Sequence, residues 1–316
     1  MDMPTKMLPL RLKIDDSFFE PEERDGYVVS SEMKQIWAVE LDLLHEFARV
    51  CSEYHLKWFV HAGTMLGAVR HHGFIPWDDD IDVVMPREDY ESLCSMGSSV
   101  FSDPYFFQND KTDRFFCRNF SRLRNSGTTA IQLSEKEFAF PYNQGVFIDI
   151  FPLDNVPDDD RVMNSQFARI EHFANNAWQY RNMVHFYHPK KGKGISKEVK
   201  YYLKHLWYTY IDKRGGDYNR LLKEQHDLMV SFNGEKTRRV GEIVIPPLGR
   251  HVWNREWLEN LTWMPFEMLQ VPVPSDYRRC LAASYGEDWE SPKYAGNYHG
   301  QVLFDVNRPY TDYLKH

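Results

Sequence analysis

The chain has 316 residues, 42% of them hydrophobic and 27% charged, and a formal net charge of −8. This is the composition of a globular protein, so it excludes a largely disordered chain. The acidic balance argues against a broad nucleic-acid interface, which needs a basic face. No CxxC pair occurs among the four cysteines, so we expect reduced thiols rather than a disulfide or zinc framework.

No segment has the apolar core of a signal peptide or the length of apolar sequence that spans a bilayer. From this we expect a cytoplasmic protein without a transmembrane segment. A membrane-borne substrate would then be met from the surface, at the inner face of the membrane, through a peripheral contact. The basic loop at 188–197 is a candidate for such a contact, although a solvated loop explains it as well.

The first strong pattern in the chain is a helix followed by a strand and a phosphate-binding turn. Ser30 and Ser31 cap a predicted core helix that runs to about residue 54, and residues 58–62 form an apolar run interrupted only by His61. Gly63 and Thr64 then end the strand and begin a short helix. A helix N-terminus after a glycine turn presents free N–H groups, which suit a phosphate.

An acidic run follows this turn. Asp80 and Asp82 stand at i and i+2 just before an apolar run. If that run is a strand, both carboxylates project from one face. Two carboxylates on one edge, joined by a third from elsewhere, hold Mg²⁺ against a phosphate. The alternative is a solvated acidic loop before a strand.

Arginines mark the next strand region. Arg122 and Arg124 also stand at i and i+2, so they share a face of a predicted strand that ends in a hairpin turn at 125–127. Arginine suits bidentate phosphate recognition. An exposed edge strand with two surface arginines would explain the same pattern.

A lone carboxylate lies in the apolar run that follows. Asp149 is the single charge within residues 146–151, which we predict to be a strand buried on both faces and ended by Pro152. An isolated carboxylate there would be costly, so Asp149 needs a metal ion, a partner or a proton. Helices are predicted beyond it at 159–187, 196–213, 217–231 and 275–285.

Four motifs in this order resemble the LicD/fukutin-related family: HAGTMLGAVRHHGFIPWDDDID, RLRNSGTT, GVFIDIFPLD and YGEDW. The resemblance is strong over residues 30–155. It implies an α/β (α+β) fold, a nucleotidyltransferase-like mixed sheet flanked by helices, with an additional helical segment. The domains would be an N-terminal arm at 1–29, a catalytic core at 30–155, and a helical and C-terminal region at 156–316 packed on that core as one compact unit.

The resemblance also implies a reaction and its residues. Family members transfer a phospho-alcohol from a CDP-activated donor to a hydroxyl of a glycan or lipid-linked glycan, and CMP leaves. The catalytic and metal-binding positions of the family correspond to Asp80, Asp82 and Asp149, with Mg²⁺, or Mn²⁺ in its place, as cofactor. The donor phosphates would meet Gly63, Thr64, Arg70, Arg122 and Arg124, and Trp77 or Trp289 is a candidate for contact with a choline group.

Three other functions use similar residues. A glycosyltransferase also has an Asp-x-Asp motif, but its nucleotide-binding fold would normally place that motif later in the chain. A true nucleotidyltransferase would use the same metal site and release pyrophosphate from a nucleoside triphosphate. A non-catalytic glycan-binding protein on the same fold would be favoured by loss of a carboxylate, and all three are present.

Overall fold

The structure is a computed structural model and describes residues 10–133, 140–189, 194–244, 251–294 and 302–314. The helices are α1 (Ser31–Glu53), α2 (Ala62–Arg70), α3 (Arg87–Val100), α4 (Asp160–His185), α5 (Ile195–Lys213), α6 (Tyr218–Met229) and α7 (Tyr277–Tyr285). The strands are β1 (Glu22–Arg24), β2 (Tyr27–Val29), β3 (Phe59–Val60), β4 (Asp82–Pro86), β5 (Tyr105–Gln108), β6 (Ser121–Asn125), β7 (Thr129–Gln132), β8 (Val146–Val156), β9 (Arg239–Gly241), β10 (Val252–Asn254), β11 (Leu261–Phe266), β12 (Leu269–Pro274) and β13 (Val302–Asp305).

A seven-stranded mixed sheet forms the centre of the fold. Five of its strands lie in the order β10-β9-β8-β4-β3. The other two follow from β8, because β6 pairs with the first half of β8, on the same edge where β9 pairs with the second half, and β5 pairs with β6. The pair β4 and β8 is parallel, and the other pairs of the sheet are antiparallel. The predicted fold class, a mixed sheet flanked by helices with an additional helical segment, is confirmed.

Helices cover the sheet on both faces because its strands are apolar on both. Val83 and Ile150 pack on the α1 side in the main core, together with the stripe of Trp37 and Leu41 that α1 turns inward. On the opposite face, β4 and β8 contribute to a second core with α4 and α6. The predicted cap is present, since the Ser30 hydroxyl accepts from the N–H of Met33 (3.2 Å). Among the described residues, no helix is both long and apolar enough to cross a membrane.

Pro152 does not end the strand, as the sequence had suggested. β8 continues to Val156, and Pro152 stands in register with Met85 of β4. The N–H of Asp149 points toward β4, where it donates to the carbonyl of Ile81 (2.9 Å). Because N–H directions alternate along a strand, the nitrogen of Pro152 points away from β4, to the opposite edge of β8. At this point of that edge, pairing with β6 has ended at Ile150 and pairing with β9 begins only at Asp154. No ladder bond is lost there.

The predicted hairpin after β6 is also wrong. The chain does turn at 125–127, with the Asn125 side chain accepting from the N–H of Gly127 (3.0 Å). However, β6 lies between β5 and β8, and β7 leaves the sheet to pair with β13. The strand that carries the arginines is therefore internal, which rules out the exposed-edge interpretation. The division of the chain at residues 29 and 155 stays a prediction.

Candidate active site

A row of polar side chains crosses the central sheet. Asp82 of β4 lies directly opposite Asp149 of β8. On the other side of β8, Asp149 lies opposite Arg122 of β6, and Arg122 in turn lies opposite Gln108 of β5. His61 continues the row beyond β3, since its N–H donates to the carbonyl of Asp82 (2.9 Å). Residues directly opposite on neighbouring strands project from the same face. The structure therefore brings two predicted carboxylates and one predicted arginine together.

Asp149 is not a lone charge but half of an ion pair with Arg122. The Nε and Nη2 atoms of Arg122 donate to the two carboxylate oxygens (2.5 and 3.2 Å). Both side chains are mostly buried, and the guanidinium lies 3.8 Å from the ring centroid of Phe147. Planar, bidentate pairing of this kind fixes both side chains in place. Arg122 thus holds Asp149 in the polar row.

The acidic run has a different shape from the one predicted. β4 begins at Asp82, so Asp80 lies in the turn before the strand rather than beside Asp82 on one strand face. Instead, carboxylate oxygens of Asp78, Asp79 and Asp80 lie within 4.8 Å of one another. Sequence reasoning had not included Asp78 and Asp79 in the site, although their place next to Asp80 was a visible signal.

The predicted phosphate turn lies directly against these acids. The Thr64 hydroxyl accepts from the N–H of Asp82 (2.8 Å), so its own O–H remains directed elsewhere. A Cβ on Gly63 would lie 2.5 Å from the Asp78 carboxylate, so a larger residue here would displace that side chain. Ala62 has φ +44°, a left-handed conformation that costs energy for an L-residue. Strain of this kind is typical of functional turns.

Glu40 is an additional acid that sequence reasoning missed. It lies on the buried face of α1, 1% exposed, and within the described part of the chain its Oε2 has no hydrogen-bond partner. α1 meets the acidic run here, since the indole N–H of Trp37 donates to the carbonyl of Asp78 (2.9 Å). Burial raises the pKa of Glu40 well above its usual range, and the negative charges of Asp80 and Asp79 raise it further. The signal was a glutamate on an apolar helix face.

We expect Glu40→Gln to stabilise the metal-free protein at neutral and alkaline pH. The pKa of Glu40 is raised in the fold, so folding keeps a proton that the unfolded chain loses above about pH 4.3. The free energy of unfolding of the wild type therefore falls as pH rises from the pKa of Glu40 in the unfolded chain to its higher pKa in the fold. Glutamine cannot ionise, so the variant avoids this loss. Urea unfolding with EDTA should show the variant more stable by at least about 1 kcal/mol at pH 8, with the gap closing toward pH 4.

Glu46→Gln is the matched control on the same helix. Burial raises the pKa of Glu46, but bonds from Arg49 and Arg11 outweigh it and lower the pKa. This substitution should therefore destabilise the protein at pH 8. A Glu40→Gln variant that is less stable than wild type at pH 8 would show that Glu40 is ionised and partnered in the fold.

His61 is also buried in the polar row and had been noted only as an interruption of a strand. Its ring lies 4.6 Å from that of His251 and 5.4 Å from that of Trp253, between centroids. Burial lowers the pKa of His61 well below its usual range, and the neighbouring His251 lowers it further. His61 is therefore neutral at pH 7 and adds no positive charge beside Asp82.

Two predicted phosphate ligands lie elsewhere. Arg124 is 2% exposed, and its guanidinium donates to the Gln108 side chain (2.5 Å) and to the carbonyl of Gly145 (2.6 Å); burial lowers its pKa to about 9. Arg70 is the last residue of α2, about 10 Å along the helix from Gly63. Its Nη1 donates to the carbonyl of Trp289 (2.9 Å). The structure does not bring these arginines to the turn.

The two candidate tryptophans differ in their surroundings. Trp289 is buried, and its ring is 6.0 Å from the guanidinium carbon of Arg278. Trp77 directly precedes the acidic run, and its ring centroid lies 6.0 Å from that of Tyr27 and 5.5 Å from that of Tyr294. The two tyrosine rings are 6.1 Å apart, so the three aromatics form one cluster. We call Tyr27, Trp77 and Tyr294 the aromatic cluster.

A mixed sheet with aspartates on adjacent strands lies beside a Gly-Thr turn at a helix N-terminus, which is the arrangement expected of a nucleotidyltransferase-like fold. Residues 55–191 match the family model of the LicD/FKTN/FKRP nucleotidyltransferase domain. Over these 137 of 316 residues the chain is similar to the LicD family, and it is a LicD-like phosphotransferase by class.

Similar proteins match different parts of the chain. The lipopolysaccharide cholinephosphotransferase LicD of Haemophilus influenzae is 22% identical over 256 residues, which cover 80% of this chain and 89% of that protein. Uncharacterized proteins of Rickettsia prowazekii and Rickettsia typhi are each 40% identical over 47 residues, 15% of this chain. These shorter matches cover 18% and 15% of the Rickettsia proteins.

Proposed function

We propose that the protein transfers a phospho-alcohol, with phosphocholine as the first candidate, from a CDP-activated donor to a hydroxyl of a cell-surface glycan or its precursor. CMP is released, and the reaction depends on Mg²⁺, or on Mn²⁺ in its place. One observation carries the proposal: Asp82 and Asp149 stand side by side on β4 and β8, next to a turn whose Gly63 touches the acidic run. The family-model match and the Haemophilus relative support the reaction class.

The acidic residues fit a hard divalent cation. The carboxylates of Asp78, Asp79 and Asp80 converge within 4.8 Å, and such oxygens are the ligands that Mg²⁺ takes. In this proposal Asp80 and Asp82 hold the ion, with Asp78 or Asp79 as a further ligand and Asp149 close by. When bound, the ion neutralises the charge that develops on the departing CMP.

The remaining roles follow from the positions of the protein's own groups. The N-terminal N–H groups of α2 and the Thr64 hydroxyl face the donor diphosphate, because the first N–H groups of a helix have no partner within it. Arg122 borders the transferred phosphoryl group and stabilises its negative charge. Arg70 and Arg124 are left out of this donor site because their guanidiniums serve other contacts.

In the transfer step, the acceptor oxygen attacks the phosphorus that bears the alcohol. A P–O bond to the acceptor forms, and the P–O bond to CMP breaks with its electron pair leaving on CMP. The hydroxyl proton passes to Asp149 or to solvent water. Arg122 occupies one lone-pair direction on each oxygen of Asp149 and leaves others open, so the carboxylate can still accept a proton or meet the cation.

The aromatic cluster favours choline as the alcohol. Aromatic faces attract quaternary ammonium groups, and this cluster begins at the residue before Asp78. The rings touch one another, so a trimethylammonium group would enter when the Tyr294 ring, which is 69% exposed, moves aside. The name of the Haemophilus relative points to the same alcohol.

A donor panel tests the proposal. The protein is incubated with Mg²⁺, a lipopolysaccharide preparation and, in turn, CDP-choline, CDP-ribitol, CTP or a UDP-sugar, and the released nucleotide is measured. We expect CMP from CDP-choline, no signal after EDTA, and preference for choline lost in Trp77→Leu.

Other products would overturn the proposal in identifiable ways. Pyrophosphate from CTP would make the protein a nucleotidyltransferase, and a nucleoside diphosphate from a UDP-sugar would make it a glycosyltransferase. Thermal stabilisation by CDP-choline without release of CMP would indicate a binding protein, since a ligand at 100 Kd adds about 2.7 kcal/mol.

A further inference from the structure

Helix α5 packs against the protein with its polar side. The His205 ring is hydrogen-bonded to the carbonyl of Met183 (2.6 Å), and Asp212 accepts from the Tyr180 hydroxyl (2.9 Å). Lys204 is bonded to Gln179 on the same side. These contacts are with α4, and no residue of α5 is buried. The helix is therefore held to the fold mainly by polar and aromatic contacts, to which partly buried Ile211 adds an apolar one.

The apolar side of α5 faces outward. Ile195 is 82% exposed, Trp207 60% and Leu203 58%. At 100° per residue, the exposed apolar and aromatic positions fall within an arc of about 140°, roughly opposite the positions that contact α4. These positions, called the α5 outer face below, are Ile195, Val199, Tyr202, Leu203, Leu206, Trp207 and Tyr210. A surface helix normally shows the reverse arrangement.

Positive charge surrounds this face in an otherwise acidic protein. Exposed Lys200 lies beside the stripe, exposed Lys197 lies in the first turn of the helix, and Lys213 and Arg214 follow at its end. Across residues 194–214 there are five Lys and Arg against two acids, in a chain whose net charge is −8. A second copy of the same face would bring the same positive charge and be repelled. An anionic surface would satisfy both the charge and the apolar stripe.

We propose that the α5 outer face binds the interface of an anionic phospholipid bilayer, with the helix parallel to the membrane plane. Trp and Tyr among the apolar residues suit the headgroup level, and flanking lysines suit anionic lipids. The helix has 19 residues, several of them charged, so it lies on the bilayer rather than across it. The inference does not depend on the reaction proposed above.

Vesicle flotation of the full chain tests the proposal. Vesicles of phosphatidylglycerol and phosphatidylcholine should bind the wild-type protein, and vesicles of phosphatidylcholine alone should bind it at least tenfold less. Leu203→Ser/Trp207→Ser should reduce partition to anionic vesicles by more than about tenfold. Lys200→Gln should reduce it about fivefold, with the loss masked at high salt.

Trp263→Ser is the matched control, because Trp263 of β11 is 61% exposed and lies outside α5. It should bind vesicles as wild type does. Brominated lipids should quench the fluorescence of the wild-type protein and of Trp263→Ser more than that of Trp207→Phe, a variant that retains the apolar face. The proposal fails if anionic vesicles do not bind the wild type. It also fails if the wild type sediments as a dimer that Leu203→Ser/Trp207→Ser converts to monomer while vesicle binding is unchanged.

Discussion

Asp82→Asn is expected to lower the turnover number by about 10³-fold while leaving the fold intact. The substitution removes the charge that would hold the cation but keeps the size of the side chain. Asp82 contacts the turn through its backbone, because its N–H donates to the Thr64 hydroxyl (2.8 Å), and the substitution leaves this contact in place. Release of CMP under saturating donor and Mg²⁺ measures the activity, and thermal unfolding checks the fold.

Asp227→Asn is the control for a general loss of negative charge. Asp227 is half exposed and pairs with Lys223 one helical turn away on α6, a contact of small energetic value. This variant should keep full activity. A second readout separates a metal role from a structural one, because Asp82→Asn should also weaken Mn²⁺ binding in the absence of donor. Wild-type turnover by Asp82→Asn in Mg²⁺ would remove Asp82 from the proposed site.

The sequence was sufficient to predict the parts of the site that depend on local pattern. Asp149 stood out because one charge interrupted an apolar run, and such a run predicts a strand buried on both faces. Gly63 and Thr64 stood out because a glycine turn followed a strand. The motifs resembling one family then linked these segments, and the structure places them together on β4, β8 and α2.

Contacts that depend on register or on three-dimensional crowding were beyond the sequence. Arg122 and Arg124 share a strand face, as predicted, but only the pairing of β6 with β8 decides that Arg122 meets Asp149 while Arg124 is enclosed beside Gln108. A shift of one residue would have exchanged the faces. The role of Glu40 could not be predicted either. Its position in the helical pattern indicates that it is buried, but not that it lies close to the acidic run.

The pairing of Asp149 with Arg122 also reverses an expectation about stability. A lone buried carboxylate would make neutral replacements of Asp149 stabilising, since the charge would have no compensation. With Arg122 at 2.5 Å, removal of either partner instead leaves a mostly buried charge behind. We therefore expect Asp149→Leu and Arg122→Met each to destabilise the protein by about 3 kcal/mol, measured by urea unfolding with EDTA.

The double variant decides whether the two residues act as a pair. If they do, Asp149→Leu/Arg122→Met should be less destabilised than the sum of the single variants, by at least about 1.5 kcal/mol. The surface pair of Arg238 and Asp158 is the reference, and its coupling should be much weaker. Additive effects at Asp149 and Arg122 would show that the bidentate contact contributes nothing to folding. Strong coupling, together with loss of CMP release in a folded Asp149→Asn variant, would show that Arg122 positions Asp149 for the transfer reaction.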